Sequence, residues 1–280
     1  MFVYFEAIIL YLPIYFQVMP THKTIQFPAS RIATLDVGEM GKRKHHVCGL
    51  IEVDVTEART KIRAHNREQK ESVSFNAWLI SVVAAAIREH ETAAAYLKGK
   101  KNLAIFEDVN VSFLVEKEIN GSRVPIPLLL EKCQQRSPAD ISRQINTALK
   151  EKLEEKDMLL HRKAGKLEKL YYNMPAWVRR LAWNYILRRP KMAFGKMGNV
   201  AFTSIGMMGR VNGWFIPIAV HPLCFGISSI TKKPVVRNNE IQIREILNMS
   251  VLLDHDVIDG ADMARFISEL SGSIEKALKL

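Results

Sequence analysis

The chain has 280 residues with 48% apolar side chains, 14 Gly and 11 Pro, a globular composition that excludes disorder, collagen and coiled-coil arrays. Its 40 Lys+Arg against 29 Asp+Glu give a net charge of +11, but 12 Lys/Arg and only 5 Asp/Glu fall within residues 151–197. The remainder is nearly balanced, which argues against a general nucleic-acid-binding surface. Three cysteines, Cys48, Cys133 and Cys224, are too dispersed for a zinc site and too few for a disulfide framework, so a reducing, cytoplasmic compartment is expected.

Residues 1–24 read as an apolar extension and 25–280 as one domain, with no Gly/Ser linker or internal repeat. The run Met1–Val18 lacks a basic n-region and a small-residue cleavage site, and Glu6 and Pro13 interrupt it, so it fits a signal peptide or a spanning helix poorly. Two other readings stand: an over-long start with Met19 beginning the functional chain, or an extension packed on a partner subunit.

Strands and helices alternate from there. His46–Thr56 is rich in β-branched residues, and a charged helix follows Asp54. Ser72–His90 is apolar all round, with Ser74 as N-cap, and predicts a buried helix. Residues 103–131 predict two strands joined at Asn120-Gly121, with Pro125 and Pro127 placing the second at an edge or end. Ser137 and Pro138 open another helix. Residues 199–206 and 213–230 read as strands, 240–255 as two short strands, and 260–280 as an amphipathic closing helix. The pattern is mixed α/β, with more strands than strict βαβ winding allows.

The strongest local signal is Met249–Leu270. An apolar strand ends at Asp254-His255 and a helix starts near Gly260, so His255 stands at a strand end, where an imidazole titrating near neutrality can take a proton from an attacking hydroxyl, thiol or amine. For an isolated His-x-x-x-Asp the alternative is a hydrogen-bonded structural histidine. His45-His46 lack carboxylate or cysteine neighbours at ligand spacing, and His221 precedes Pro222 in an expected loop, so no metal site is expected.

His255-Asp-Val-Ile-Asp259-Gly260 resembles the His-x-x-x-Asp-Gly signature of the catalytic domain of 2-oxo acid dehydrogenase (dihydrolipoamide) acyltransferases, shared with chloramphenicol acetyltransferase. Gly198–Gly209 is similar, without gaps, to that family's Gly-Thr-Phe-Thr-Ile-Ser-Asn-Leu-Gly segment, and "LIEVDVTEART", "AIFEDVNVSFLVE" and "IPIAVHPLCFGISSI" resemble other family blocks in the right order. The resemblance implies a chloramphenicol acetyltransferase-like, two-layer α/β sandwich with a mixed sheet, a homotrimer, and active sites in channels between subunits. It implies His255 as general base towards a thioester, with acyl-CoA as co-substrate rather than a covalently bound cofactor, or a lipoylated or carrier protein acting in trans. It sets Thr203 at the family's oxyanion-binding serine and Ser204 at the next asparagine; either hydroxyl can donate to the oxyanion, and the alternative is satisfaction of β-edge backbone. Asp259 resembles an aspartate that pairs with an N-terminal arginine, for which Arg31 stands at nearly the right spacing. Asp259 and Gly260 would then hold the catalytic loop, and Arg31 is otherwise a surface cation.

Three departures accompany the resemblance. Asp256 replaces the family's usual arginine beside the catalytic histidine. Only about 20–30 residues precede the catalytic region, so no lipoyl domain is expected in the chain. The basic stretch 151–197 replaces a short connection. Within it Pro175–Met197 carries six Lys/Arg and no acid, and a helix over 175–189 would set Trp177, Val178, Leu181 and Tyr185 on one side. Three readings of this helix stand, with Arg179, Arg180, Arg188 and Arg189 as its substrate or surface contacts: packing on its own trimer, peripheral contact with an anionic membrane, or cover over the substrate channel. The alternative to an enzyme is a catalytically weakened trimeric scaffold or membrane-surface binding protein of the same fold.

Overall fold

The computed structural model describes residues 22–24, 30–69, 71–119, 122–150, 170–206, 209 and 211–280. The expectations for Met1–Val18, for the Asn120-Gly121 turn and for residues 151–169 lie outside the described residues. In chain order the elements are α1 (Ser30–Gly41), β1 (His46–Asp54), α2 (Thr56–Glu68), α3 (Phe75–Glu89), β2 (Tyr96–Lys98), β3 (Asn102–Ala104), β4 (Val111–Ile119), β5 (Ser122–Leu130), α4 (Pro138–Lys150), α5 (Ala176–Leu187), α6 (Pro190–Met197), β6 (Val200–Ser204), β7 (Leu223–Arg237), β8 (Glu240–Asp254) and α7 (Gly260–Glu275).

Six strands form one mixed sheet in the order β1-β8-β7-β6-β4-β5, and β2 and β3 pair separately. The β6 strand is parallel to both β4 and β7, and the other neighbours are antiparallel. The proline-bearing β5 is an edge strand, as expected of a strand lacking two ladder donors. Helix α3, buried on most of its circumference, packs with α4 and α7 against one sheet face around Phe202, Phe225, Leu247 and Phe266. Ser74 caps α3 by accepting a hydrogen bond from the Ala77 N–H, and Ser137 caps α4 through the Asp140 N–H.

Several sequence expectations are corrected. Residues 240–254 are one 15-residue strand, not two. The polar residues that suggest a break are all engaged or buried: Arg244 donates to Asp54, Glu245 accepts from Arg59, and Asn248 is buried. Residues 213–222 are not a strand. They cross the other sheet face, where Ser250 donates to the Phe215 carbonyl and Trp214 to that of Ile51. A side chain at Gly226 would strike this crossing, its Cβ 2.9 Å from the Phe215 oxygen. Helix α1 and the β2–β3 hairpin were not anticipated.

Candidate active site

Pairing of β1 with β8 sets His46 opposite Asp254, which brings the residues before β1 against those after β8. Asp254 is almost fully buried, and its carboxylate accepts from the Lys44 ammonium at 2.6 Å. Its backbone N–H donates to Pro222, and its carbonyl accepts from Val257, closing the turn. Ile258 then enters the core and α7 begins at Gly260. His255 and Asp256 are thereby held outward. The His255 N–H donates to the His45 carbonyl at 2.9 Å, and His45 Nδ1 lies 2.9 Å from a carboxylate oxygen of Asp256. Donation of that hydrogen bond to the Asp256 carboxylate raises the His45 pKa. Among the described residues the His255 ring itself has no partner.

Two more histidines brace this end of the sheet. His46 Nε2 lies 2.9 Å from the His221 carbonyl, and His221 Nε2 lies 2.9 Å from that of Met197. Burial lowers the pKa of His46, and it lowers that of His221 to about 4, so His221 stays neutral at physiological pH and donates from Nε2. The chain of contacts runs from β1 through the 219–222 loop to the turn that launches β6. In that turn Gly198 has φ +72°, and a Cβ there would lie 2.2 Å from the Asn110 carbonyl oxygen, so only glycine fits.

Thr203 and Ser204 end β6, half-buried and past the last pairing with β4 at Phe202. Their hydroxyls have no hydrogen-bond partner among the described residues. Among the described residues, Ser228 Oγ on β7 and Asn248 Oδ1 on β8 are also buried without partners, as is His221 Nδ1 at the His255 end. Register fixes the distance of Thr203 from His255. Val200 is level with Leu223, which is level with Leu253; His255 lies beyond that level on one side and Thr203 on the other. At ~3.3 Å per residue and ~4.8 Å per strand, they are about 17 Å apart along the strands and about 10 Å across them. A single chain does not bring His255 and the Thr203-Ser204 pair together.

The remaining predicted residues are placed as follows. Arg31, in the first turn of α1, and Asp259, before α7, are both exposed and form no ion pair with each other. A Cβ at Gly260 would meet nothing within 4 Å. Arg179 is not a surface contact: it is turned inward, Nε and Nη2 donating to the Asp36 carboxylate at 2.7 and 3.3 Å, with 11% and 5% of the two side chains exposed. A planar guanidinium matches a carboxylate in this way. Arg180 and Arg188 are exposed, and Arg189 lies over the Tyr185 ring at 3.6 Å. Among the described residues no group of three or more His, Cys, Asp or Glu converges as a metal site. A 630 Å³ pocket between β5 and α4, lined by Arg136, Arg143 and Gln144, lies at the sheet edge remote from His255. Lys44, His45 and His221 were not read as site residues; the doublet His45-His46 before a strand was the one available signal, and its partners lie about 200 residues away.

Fold and site together define a class: a two-layer α/β core with a mixed sheet and an exposed histidine just past the end of one of its strands. The profile of 2-oxoacid dehydrogenases acyltransferase (catalytic domain) matches residues 32–161 and 188–280, and the chain belongs to that family. The dihydrolipoyllysine-residue acetyltransferase component of the pyruvate dehydrogenase complex of Acholeplasma laidlawii is 36% identical over 98 residues, 34% of this chain and 18% of that protein. The corresponding component of Rickettsia prowazekii is 24% identical over 213 residues, 76% of this chain and 43% of that protein. The chain thus spans less than half the length of these relatives. The dihydrolipoamide acetyltransferase of Azotobacter vinelandii superimposes with a TM-score of 0.67 at 17% identity, covering 95% of this chain and 96% of that one. That structure comes from an investigation of one serine, one histidine and one asparagine in its catalytic mechanism. A probable dihydrolipoamide acetyltransferase from Listeria monocytogenes gives a TM-score of 0.66 at 20% identity, covering 91% and 95%.

Proposed function

We propose that the chain is a thioester-dependent acyltransferase that works as an oligomer, a trimer in this reading, with each site made by two chains. The observation that carries the proposal is the exposed His255 ring, unpartnered among the described residues, on a turn held by the Lys44–Asp254 and His45–Asp256 contacts and by the His255 N–H on the His45 carbonyl. In the Azotobacter vinelandii enzyme the serine precedes the histidine by 52 positions and the asparagine follows it by four. Here Thr203 precedes His255 by 52 and Asp259 follows it by four, which supports the same roles for Thr203 and Asp259. The intrachain separation then requires His255 of one protomer to face Thr203 of its neighbour.

His255 takes the proton of the acceptor as that group attacks the thioester carbonyl. The carbonyl oxygen becomes an oxyanion, to which the Thr203 hydroxyl donates, with Ser204 as the adjacent alternative. Collapse re-forms the carbonyl, breaks the carbon–sulfur bond, and the departing thiolate receives the proton from the His255 imidazolium. Acyl-CoA is the proposed donor, with a lipoylated or carrier protein in trans as the other thioester source. Asp259 and Gly260 hold the start of α7; an Arg31 partner for Asp259 would come with assembly. Three unbridged cysteines support a cytoplasmic setting, and no helix among the described residues is long and apolar enough to cross a membrane.

Thiol release from acetyl-CoA and longer acyl-CoA thioesters, with candidate acceptors, tests this reading. His255→Ala is expected to lower the rate about 10²–10⁴-fold with little shift in melting temperature, because the exposed ring makes no hydrogen bond or ion pair among the described residues. Full activity in His255→Ala contradicts the mechanism, and silence of the wild-type chain with every donor favours the scaffold.

A further inference from the structure

We infer that helix α5 docks on an anionic lipid surface through Trp177, Leu181 and Tyr185. This inference is independent of the acyltransferase reading. The family profile skips residues 162–187, so α5 belongs to this chain's own elaboration. One face of the helix is fixed. Arg179 holds the Asp36 carboxylate on α1, Tyr171 Oη donates to the same carboxylate at 2.6 Å, Trp183 Nε1 donates to Tyr171 Oη at 3.1 Å, and Arg43 reaches Asn184 at 3.2 Å. These contacts set the rotation of the helix.

The rotation leaves an apolar stripe outside. Trp177, Leu181 and Tyr185 are 65%, 58% and 52% exposed, and at 100° per residue they span an arc of about 80° opposite Arg179. Arg180 flanks the arc on one side and Arg189 on the other, Arg188 closes its C-terminal end, and all three are exposed. No Asp or Glu occurs from Leu170 to Met197. Arg189 stacks on Tyr185, but a helix face meant for packing on the same molecule does not expose Trp177 and Leu181 between guanidinium groups such as Arg180 and Arg188 that have no partner among the described residues. A second copy would also set arginines against arginines. An anionic bilayer surface supplies both complements: phosphates for Arg180 and Arg188, and the interfacial zone that Trp and Tyr favour. A 12-residue helix with one aromatic stripe gives reversible, salt-sensitive attachment.

The test is co-sedimentation of the full chain with vesicles of phosphatidylcholine alone and of phosphatidylcholine with phosphatidylglycerol. Binding is expected only to the anionic vesicles and is expected to disappear at high salt. It should weaken about tenfold or more in Arg180→Glu/Arg188→Glu and in Trp177→Ala/Leu181→Ala/Tyr185→Ala. Both variants alter only exposed side chains and should melt with wild type; a single exchange, Leu181→Gln, serves if the triple variant does not fold. Failure to bind anionic vesicles, or binding that all these substitutions leave intact, overturns the inference. So does a fall in assembly mass of the aromatic variant with no vesicle binding, which would assign the face to a second copy.

Discussion

The two ends of β6 and β8 that carry the candidate chemistry are built in opposite ways. Around His255 the polar groups are tied within the chain: Lys44 to Asp254, His45 to Asp256, His46 to the His221 carbonyl, His221 to the Met197 carbonyl. At the other end the Thr203 and Ser204 hydroxyls lack partners among the described residues, as do the buried Ser228 Oγ on β7 and Asn248 Oδ1 on β8. Burying such groups without hydrogen bonds costs about 1–3 kcal/mol each. The His255 end is thus the more fully tied of the two, although His221 Nδ1 is buried there without a partner among the described residues. A general base needs a preset position before substrate arrives, whereas a hydroxyl kept free of protein partners is available for the oxyanion.

The largest effect that sharpens this contrast lies at the unsatisfied end. Thr203→Val keeps the shape and removes the donor, and kcat in the thiol-release assay is expected to fall about 10²–10³-fold with little change in KM or in melting temperature. Thr203→Ser should restore most of the rate. A Thr203→Val enzyme with normal kcat would pass the role to Ser204 or remove it from the sheet end altogether.

The next effect breaks the tied end by pH. Burial holds the His221 pKa at about 4, below the ordinary 6.5, so between those values the unfolded chain binds a proton that the folded chain refuses. Stability is full above about pH 6.5 and falls as the pH drops towards 4, by an amount on the order of 3 kcal/mol. Denaturant unfolding at pH 7.5 and 5 reads this difference. His221→Asn, which keeps an N–H but does not titrate, should flatten the pH slope; an unchanged slope would show that His221 is not the group responsible.

Much of the fold was legible because its signals are local. Ser74 and Ser137 cap the helices they precede, and the prolines of β5 mark an edge. The errors came where partners are distant. Arg179 looks like every other arginine of the basic segment, and only Asp36, 143 positions away, turns it inward. Residues 213–222 carry strand-like side chains but also Pro217 and Pro222, and they cross the sheet instead of joining it. His255 was legible as a strand-end histidine, but the supports given by Lys44, His45 and His221 depend on the β1–β8 pairing, which no short window of sequence contains.

The central claim is that His255 of one protomer works with Thr203 of another, and complementation measures it directly. His255→Ala and Thr203→Val chains, each nearly inactive, are unfolded together and refolded as mixed oligomers. Random mixing of site halves contributed by neighbours should return roughly a quarter of wild-type thiol release. Activity that stays at the level of the separate variants would contradict the shared site.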